Sequence, residues 1–311
     1  MIQKINSLKR GDTIGIINPS FKNNYKDSSE YQDLINMLSS RGYKVKFFDS
    51  FYKKDGYLVG SDEERSADIN KAFNDEEVKA IICMRGGYGA SRIVDKVDYD
   101  IIRNNPKIFS GYSDITVFLN SIYSKAHFAT FHGLVGASLN KKETNSSIEA
   151  FFDMLENKTE GKVLKSIDKE ASSLVKGKAE GVLVGGNLSL LATLCGGEYD
   201  VDFSDKIVFI EDVGEDVYRI DRYFSSLRLN HSLEKAKGFI LGYFTNCEKK
   251  EGCQSIEDII NDYILPLNKP TISNFTCGHE MPFVTLPIGT KVLLDVDKKE
   301  ITIMEEIYNE G

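Results

Sequence analysis

From residue 13 onward, short runs of apolar and β-branched residues alternate with longer stretches in which apolar positions recur every three or four residues. That is the order expected of parallel strands joined by covering helices. Thr13–Ile17 predicts a first strand, ended by Asn18-Pro19-Ser20. A helical period follows through Tyr31, Leu34, Ile35 and Leu38 and stops at Gly42, ahead of a second strand over Lys44–Phe48. Ser61 to Phe73 reads as a helix with an Asp/Glu-rich first turn, and Ala80–Met84 as a buried third strand running into Arg85-Gly86-Gly87-Tyr88-Gly89. Lys107–Ser110 predicts a fourth strand, then a turn, Gly111-Tyr112-Ser113-Asp114, then a helix from Ile115 to Tyr123. The segment 126–131 around His127 reads as strand.

Residues 156–179 lose this periodicity and are rich in Lys, Ser and Gly, which marks them as a connection between an amino-terminal domain over 1–155 and a carboxyl-terminal one over 180–311. The second domain predicts strands at 181–184, 206–210, 238–241, 271–273, 291–295 and 301–304, and helices at 188–194, 218–229 and 256–264. The fold class is therefore α/β, with a strand-rich carboxyl-terminal end.

Composition narrows the function classes. The 311 residues are 41% hydrophobic and 28% charged, ordinary for a globular chain with one large or two moderate cores. No apolar run reaches the length of a signal peptide core or a membrane span, which places the protein in the cytosol and off the membrane. A formal net charge of −8 speaks against nucleic acid as a partner, and the lysines at 235, 237, 249 and 250 have acids nearby. Five cysteines, at 83, 195, 247, 253 and 277, contain no C-x-x-C pair and read as buried thiols, with neither disulfides nor a zinc site. Neither a metal nor a cofactor is expected.

Gly111-Tyr112-Ser113-Asp114 has the form of a nucleophile elbow, in which a serine on a tight strand-to-helix turn exposes its hydroxyl and following N–H groups face a developing oxyanion. It lacks the second glycine of G-x-S-x-G, and a serine N-cap followed by an acid has the same look. A serine needs a base, normally a histidine held by a carboxylate. Of the four histidines, His231 reads as surface, whereas His132 and His279 stand beside glycines in loop-like contexts, and either could reach a cleft. Glu211 and Asp212 close an apolar strand, where α/β sheets build their sites, yet with Glu215 and Asp216 they also suit the acidic start of a helix. Arg85–Gly89 matches no nucleotide-binding loop, but its N–H groups could complete an oxyanion hole. Gly185-Gly186-Asn187 reads as a turn with an asparagine cap.

Taken in order, a set of segments resembles the LD-carboxypeptidases, or muramoyltetrapeptide carboxypeptidases, over most of the chain. They are Gly11-Asp12, Asn18-Pro19-Ser20, Gly60-Ser61-Asp62 with Arg65, Ala72-Phe73, Arg85–Gly89, Asn105-Pro106-Lys107, Gly111–Thr116, His132-Gly133, Gly185–Leu190, Glu211–Glu215, Tyr218–Arg222, Gly278-His279 and Leu286–Gly289. Leu134 departs from the proline that often follows His-Gly in that family. The resemblance implies a flavodoxin-like parallel-sheet amino-terminal domain and a smaller carboxyl-terminal one, with a Ser-Glu-His triad across their interface. Carried over position by position, Ser113 is the nucleophile, His279 the base and Glu211 its orienting acid, with the backbone N–H groups of Asp114 and Gly86 as oxyanion hole. It further implies a cytosolic, metal-independent homodimer that removes the terminal D-alanine of a murein tetrapeptide in peptidoglycan recycling. Arg85, Arg219 and Arg222 are the basic residues nearest these motifs and candidate partners of the peptide's carboxylate. The related microcin-immunity peptidases, which cleave peptidyl or aminoacyl nucleotides, typically offer the base a tryptophan. This chain has none, although Tyr or Phe could serve.

Overall fold

A computed structural model of the chain describes residues 2–23, 29–139, 145–247, 252 and 254–310. The first half alternates strand and helix: β1 (Thr13–Ile17), α1 (Ser29–Ser40), β2 (Lys44–Phe47), α2 (Asp62–Asn74), β3 (Val78–Cys83), α3 (Tyr99–Asn104), β4 (Ile108–Gly111), α4 (Thr116–Ala126), β5 (Thr130–His132) and α5 (Asn145–Glu156). Local chemistry sets several of these boundaries. Ser61 caps α2 with a reciprocal capping box, its hydroxyl accepting from the Glu64 N–H while the Glu64 carboxylate accepts from Ser61 N–H. Asp98 caps α3 in the same spirit, accepting from the N–H groups of Asp100 and Ile101. The parallel strands lie in the order β2-β1-β3-β4-β5, the flavodoxin-like order with its switch point between β1 and β3. Buried on both faces, they need continuous apolar runs, as Ala80–Cys83 supply, and Phe73, Phe109, Phe118 and Phe131 fill the space beneath the helices.

The second half runs β6 (Val163–Lys165), β7 (Ser172–Val175), β8 (Lys178–Asn187), α6 (Leu188–Leu194), β9 (Lys206–Val213), α7 (Val217–Leu229), β10 (Gly238–Thr245), α8 (Ile256–Tyr263), β11 (Thr271–Ser273), β12 (Leu286–Ile288), β13 (Lys291–Asp295) and β14 (Glu300–Ile303). Its eight-stranded sheet has the order β6-β14-β13-β8-β9-β10-β11-β7, parallel from β8 to β11 and antiparallel toward both edges. β12 instead joins the first sheet beside β5. Packing divides the chain into one unit of Met1–Lys158, Thr285–Pro287 and Glu306–Gly311 and another of Thr159–Val284 and Ile288–Glu305. Among the described residues no helix is long and apolar enough to cross a membrane.

Some expectations change. The stretch 156–179, expected to be a connection, contributes β6 and β7, the two edge strands of the second sheet. An edge strand exposes much of its surface, so its sequence is as polar as a linker's. His127 is not in a strand: it ends α4 as an exposed residue with left-handed backbone (φ 64°). Cys83, Cys247 and Cys277 are buried free thiols as expected and Cys195 is partly exposed, while Cys253, Lys249 and Lys250 lie outside the described residues.

Candidate active site

The turn after β4 holds Ser113 at φ 66°, a left-handed conformation that costs a side-chain-bearing residue about 1–2 kcal/mol and survives where the surroundings impose it. The imposing groups are visible in the same unit. Asp114, 1% exposed, accepts from the Ser20 hydroxyl at 2.5 Å and the Ala90 N–H at 2.8 Å, tying the loops after β1, β3 and β4 together. Burial raises the Asp114 carboxyl above the ordinary carboxylate range, and these two hydrogen bonds partly offset it. Beneath them the buried Arg65 guanidinium donates to the carbonyls of Pro19 and Gly89 and pairs with Asp62. Gly86 packs directly on the serine: a β-carbon there would stand 2.8 Å from Ser113 Cβ and 3.0 Å from Ser113 Oγ. Only a bare backbone can lie that close to the hydroxyl.

In the other unit, the carboxyl end of β9 brings Glu211 against the loop that carries His279. Glu211 Oε2 and His279 Nδ1 are 2.7 Å apart, with the carboxylate fully buried and the imidazole side chain 15% exposed. Burial pushes the imidazole pKa down, but the charge and hydrogen bond of Glu211 outweigh it, so the net position lies above the ordinary 6.5. The approach depends on two glycines. A β-carbon on Gly242 would lie 2.4 Å from the Cys277 carbonyl oxygen and 3.1 Å from Glu211 Cβ, and one on Gly278 (φ 129°) 3.1 Å from Glu211 Oε2.

Asp212, beside Glu211, is also buried and accepts from Asn187 Nδ2 at 3.0 Å, Ser189 N–H at 2.9 Å and Val213 N–H at 2.8 Å. Burial and the adjacent Glu211 charge push its carboxyl up to about 7. Asn187, expected as a helix cap, stands at the cap position of α6 but makes no capping bond, because its amide is spent on Asp212 and Ser189. Gly185, Gly186 and Asn187 do not form the expected turn: they are the last residues of β8, paired with Phe209, Ile210 and Glu211 of β9, and nothing local in the sequence pointed to a partner 25 residues away.

The remaining candidates separate. His132 ends β5, buried, with its ring 6.1 Å from that of Tyr112, while His231 is exposed. Arg85 donates to the Lys22 carbonyl at 3.0 Å. Arg219 and Arg222 flank the exposed ring of Tyr218 at 5.9 and 5.4 Å, and Arg219 also pairs with Glu215 at 3.3 Å.

Comparison with known proteins bears on the same two regions. The LD-carboxypeptidase N-terminal domain of peptidase family S66 matches residues 14–133, which include Ser113, and the LD-carboxypeptidase C-terminal domain matches residues 180–294, which include Glu211 and His279. The probable murein peptide carboxypeptidase of Bacillus subtilis is 36% identical over 99% of this chain and 96% of its own length. Among solved structures, the wild-type apo form of the microcin C7 self-immunity protein MccF aligns with a TM-score of 0.90 at 27% identity, covering 98% of this chain and 99% of that one. The muramoyltetrapeptide carboxypeptidase from Oxalobacter formigenes aligns with a TM-score of 0.79 at 27% identity over 96% and 99%. With both domain models matched in order and a relative alike from end to end, the chain belongs to the LD-carboxypeptidase family and is a serine-type carboxypeptidase.

Proposed function

We propose that the protein hydrolyses the bond preceding the carboxyl-terminal D-alanine of a murein tetrapeptide, in peptidoglycan recycling, with Ser113 as nucleophile, His279 as general base and Glu211 as its orienting acid. The buried 2.7 Å contact between Glu211 and His279 Nδ1 carries the reading, because a carboxylate at Nδ1 leaves Nε2 to accept a serine proton and stabilises the imidazolium that results. Ser113 Oγ attacks the carbonyl carbon while its proton passes to His279 Nε2. The tetrahedral oxyanion accepts from the N–H groups of Asp114 and Gly86, collapses, and expels the D-alanine nitrogen, which takes the proton from His279. Water then adds to the acyl carbon, gives a proton to His279, and Ser113 leaves with that proton as the peptide acid departs.

The leaving residue carries a free carboxylate, for which Arg85, Arg219 and Arg222 are the candidate guanidinium partners. A second reading, hydrolysis of aminoacyl or peptidyl nucleotides, draws on the likeness to the microcin C7 self-immunity protein, against which stands the absence of tryptophan.

Mass spectrometry of tetrapeptides incubated with the wild-type protein and with Ser113→Ala tests the first reading. Loss of one alanine by wild type alone, with Ser113→Ala slower by about 10⁴-fold or more, is the expected outcome. Intact tetrapeptide beside cleaved aminoacyl sulfamoyl adenosine would replace this reading with the second.

A further inference from the structure

The carboxyl ends of β10 and β11, the edge strand β7 and the first turns of α8 enclose a cavity of about 430 Å³, wholly within the second unit. Crevices outside the carboxyl ends of parallel strands are where α/β sheets receive ligands. This one lies one wall away from the acid–base pair. Glu280, which follows His279, lines it, and so does Gly242, whose other side meets the Cys277 carbonyl and Glu211 Cβ.

Its lining has a distinct chemistry. Leu241, Ile256 and Ile260 supply apolar surface, Glu257 and Glu280 supply two carboxylates, and the described lining holds no basic side chain. Ser273 also faces the cavity; it is 7% exposed, and among the described residues its hydroxyl makes no hydrogen bond. A nearly buried hydroxyl that faces a cavity is placed to exchange hydrogen bonds with a polar group of a ligand.

The chain itself shows which charge suits the rim. The Lys169 ammonium stands 3.8 Å from Glu280 Oε2 and 5.3 Å from the centroid of the Tyr243 ring, and Tyr243 lines the cavity too. A carboxylate and an aromatic face meeting at one corner form an ammonium site, here taken by a side chain that remains 61% exposed and can be displaced. We infer that this cavity binds an alkylammonium group carried on a short aliphatic chain, the chemistry of a diamino-acid side chain or of a free amine. Where the occupant is a side chain of the peptide substrate, the inference rests on the tetrapeptide reading.

Calorimetric titration of the full-length protein with n-pentylammonium, beside uncharged n-pentanol, tests the site without relying on turnover. Wild type binds the amine and not the alcohol, Lys169→Ala tightens amine binding roughly two- to fivefold, and Glu257→Gln with Glu280→Gln weakens it tenfold or more. Absence of binding in both wild type and Lys169→Ala would overturn the inference, as would affinities indifferent to the two glutamine changes. Kinetics with tetrapeptides bearing lysine or norleucine at the third position then separate the sources. A lysine preference that is lost in the glutamine variants identifies the substrate side chain, whereas equal turnover of both peptides, altered alike by added n-pentylammonium, identifies a free amine. No cleavage of either peptide would count against the tetrapeptide reading and leave the binding measurement standing.

Discussion

Glu211 does two things to His279, and they are separable by pH. It fixes the ring through Nδ1 at 2.7 Å, and its charge lifts an imidazole that burial alone would push below the ordinary 6.5. In its proposed role as general base His279 works only when neutral, so the acid limb of kcat/KM should fall at a pH above that of a free imidazole. In Glu211→Gln the lifting charge is gone while burial remains. The limb should then move to lower pH, with kcat down by about 10³- to 10⁴-fold from loss of the correct ring tautomer. The same residue predicts the direction of linkage. A folded-state pKa raised above 6.5 means that the imidazolium stabilises the fold fully below that pH and loses this contribution as pH rises through the raised value. Urea melts of the wild type and Glu211→Gln between pH 5 and 9 should therefore converge toward alkaline pH; a constant gap would mean that the pair does not titrate in this way.

At the level of elements, what could be read in the sequence was what repeats locally. The acid-rich first turn of α2, the apolar run of β3 and the serine between β4 and α4 are each written in a few adjacent residues, and each stands where its pattern placed it. β6, β7 and β12 escaped because an edge strand looks polar and a three-residue strand containing Pro287 carries too little pattern to see. The choice between His132 and His279 escaped for another reason: the deciding contact spans 68 residues. Close approach across such distances leaves its trace in glycines. β10 shifts register against β9 between Leu241 and Phe244, and Gly242 sits in that irregularity with the Cys277 carbonyl against it. In Gly242→Ala the new methyl would have to displace backbone that lies 2.4 Å away, a case of overpacking that costs about 1–3 kcal/mol. The displaced segment carries His279, so kcat should fall more than stability does, with KM little changed. A Gly242→Ala enzyme of normal kcat would show that the loop tolerates the shift.

At the scale of the whole molecule, the chain returns to its first unit twice, at Thr285–Pro287 and at Glu306–Gly311, contacts too remote in sequence for any local period to betray. The second return resembles a seam. Ile5 donates to the Ile307 carbonyl at 3.0 Å, Asn309 donates to the Ile5 carbonyl at 2.8 Å, and the Tyr308 hydroxyl donates to the Met154 carbonyl at 2.8 Å. Ile307 and Tyr308 are both buried, at 0% and 3% exposure. Two such side chains contribute roughly 3 kcal/mol or more through burial alone. The β14 strand of the second sheet, by contrast, is complete at Ile303. Removing residues 306–311 should therefore loosen one sheet and spare the other. Hydrogen exchange should speed up across β1, β3 and β4, with β9 and β10 nearly unchanged, and turnover should fall because the loops that hold Ser113 in its left-handed turn belong to the loosened unit. The histidine resonance of His279 should titrate as in the intact chain, since Glu211 and its glycine supports lie in the spared unit. Exchange that quickened equally in both sheets would mean that the two units open together as one cooperative body, and that the tail stabilises the whole chain.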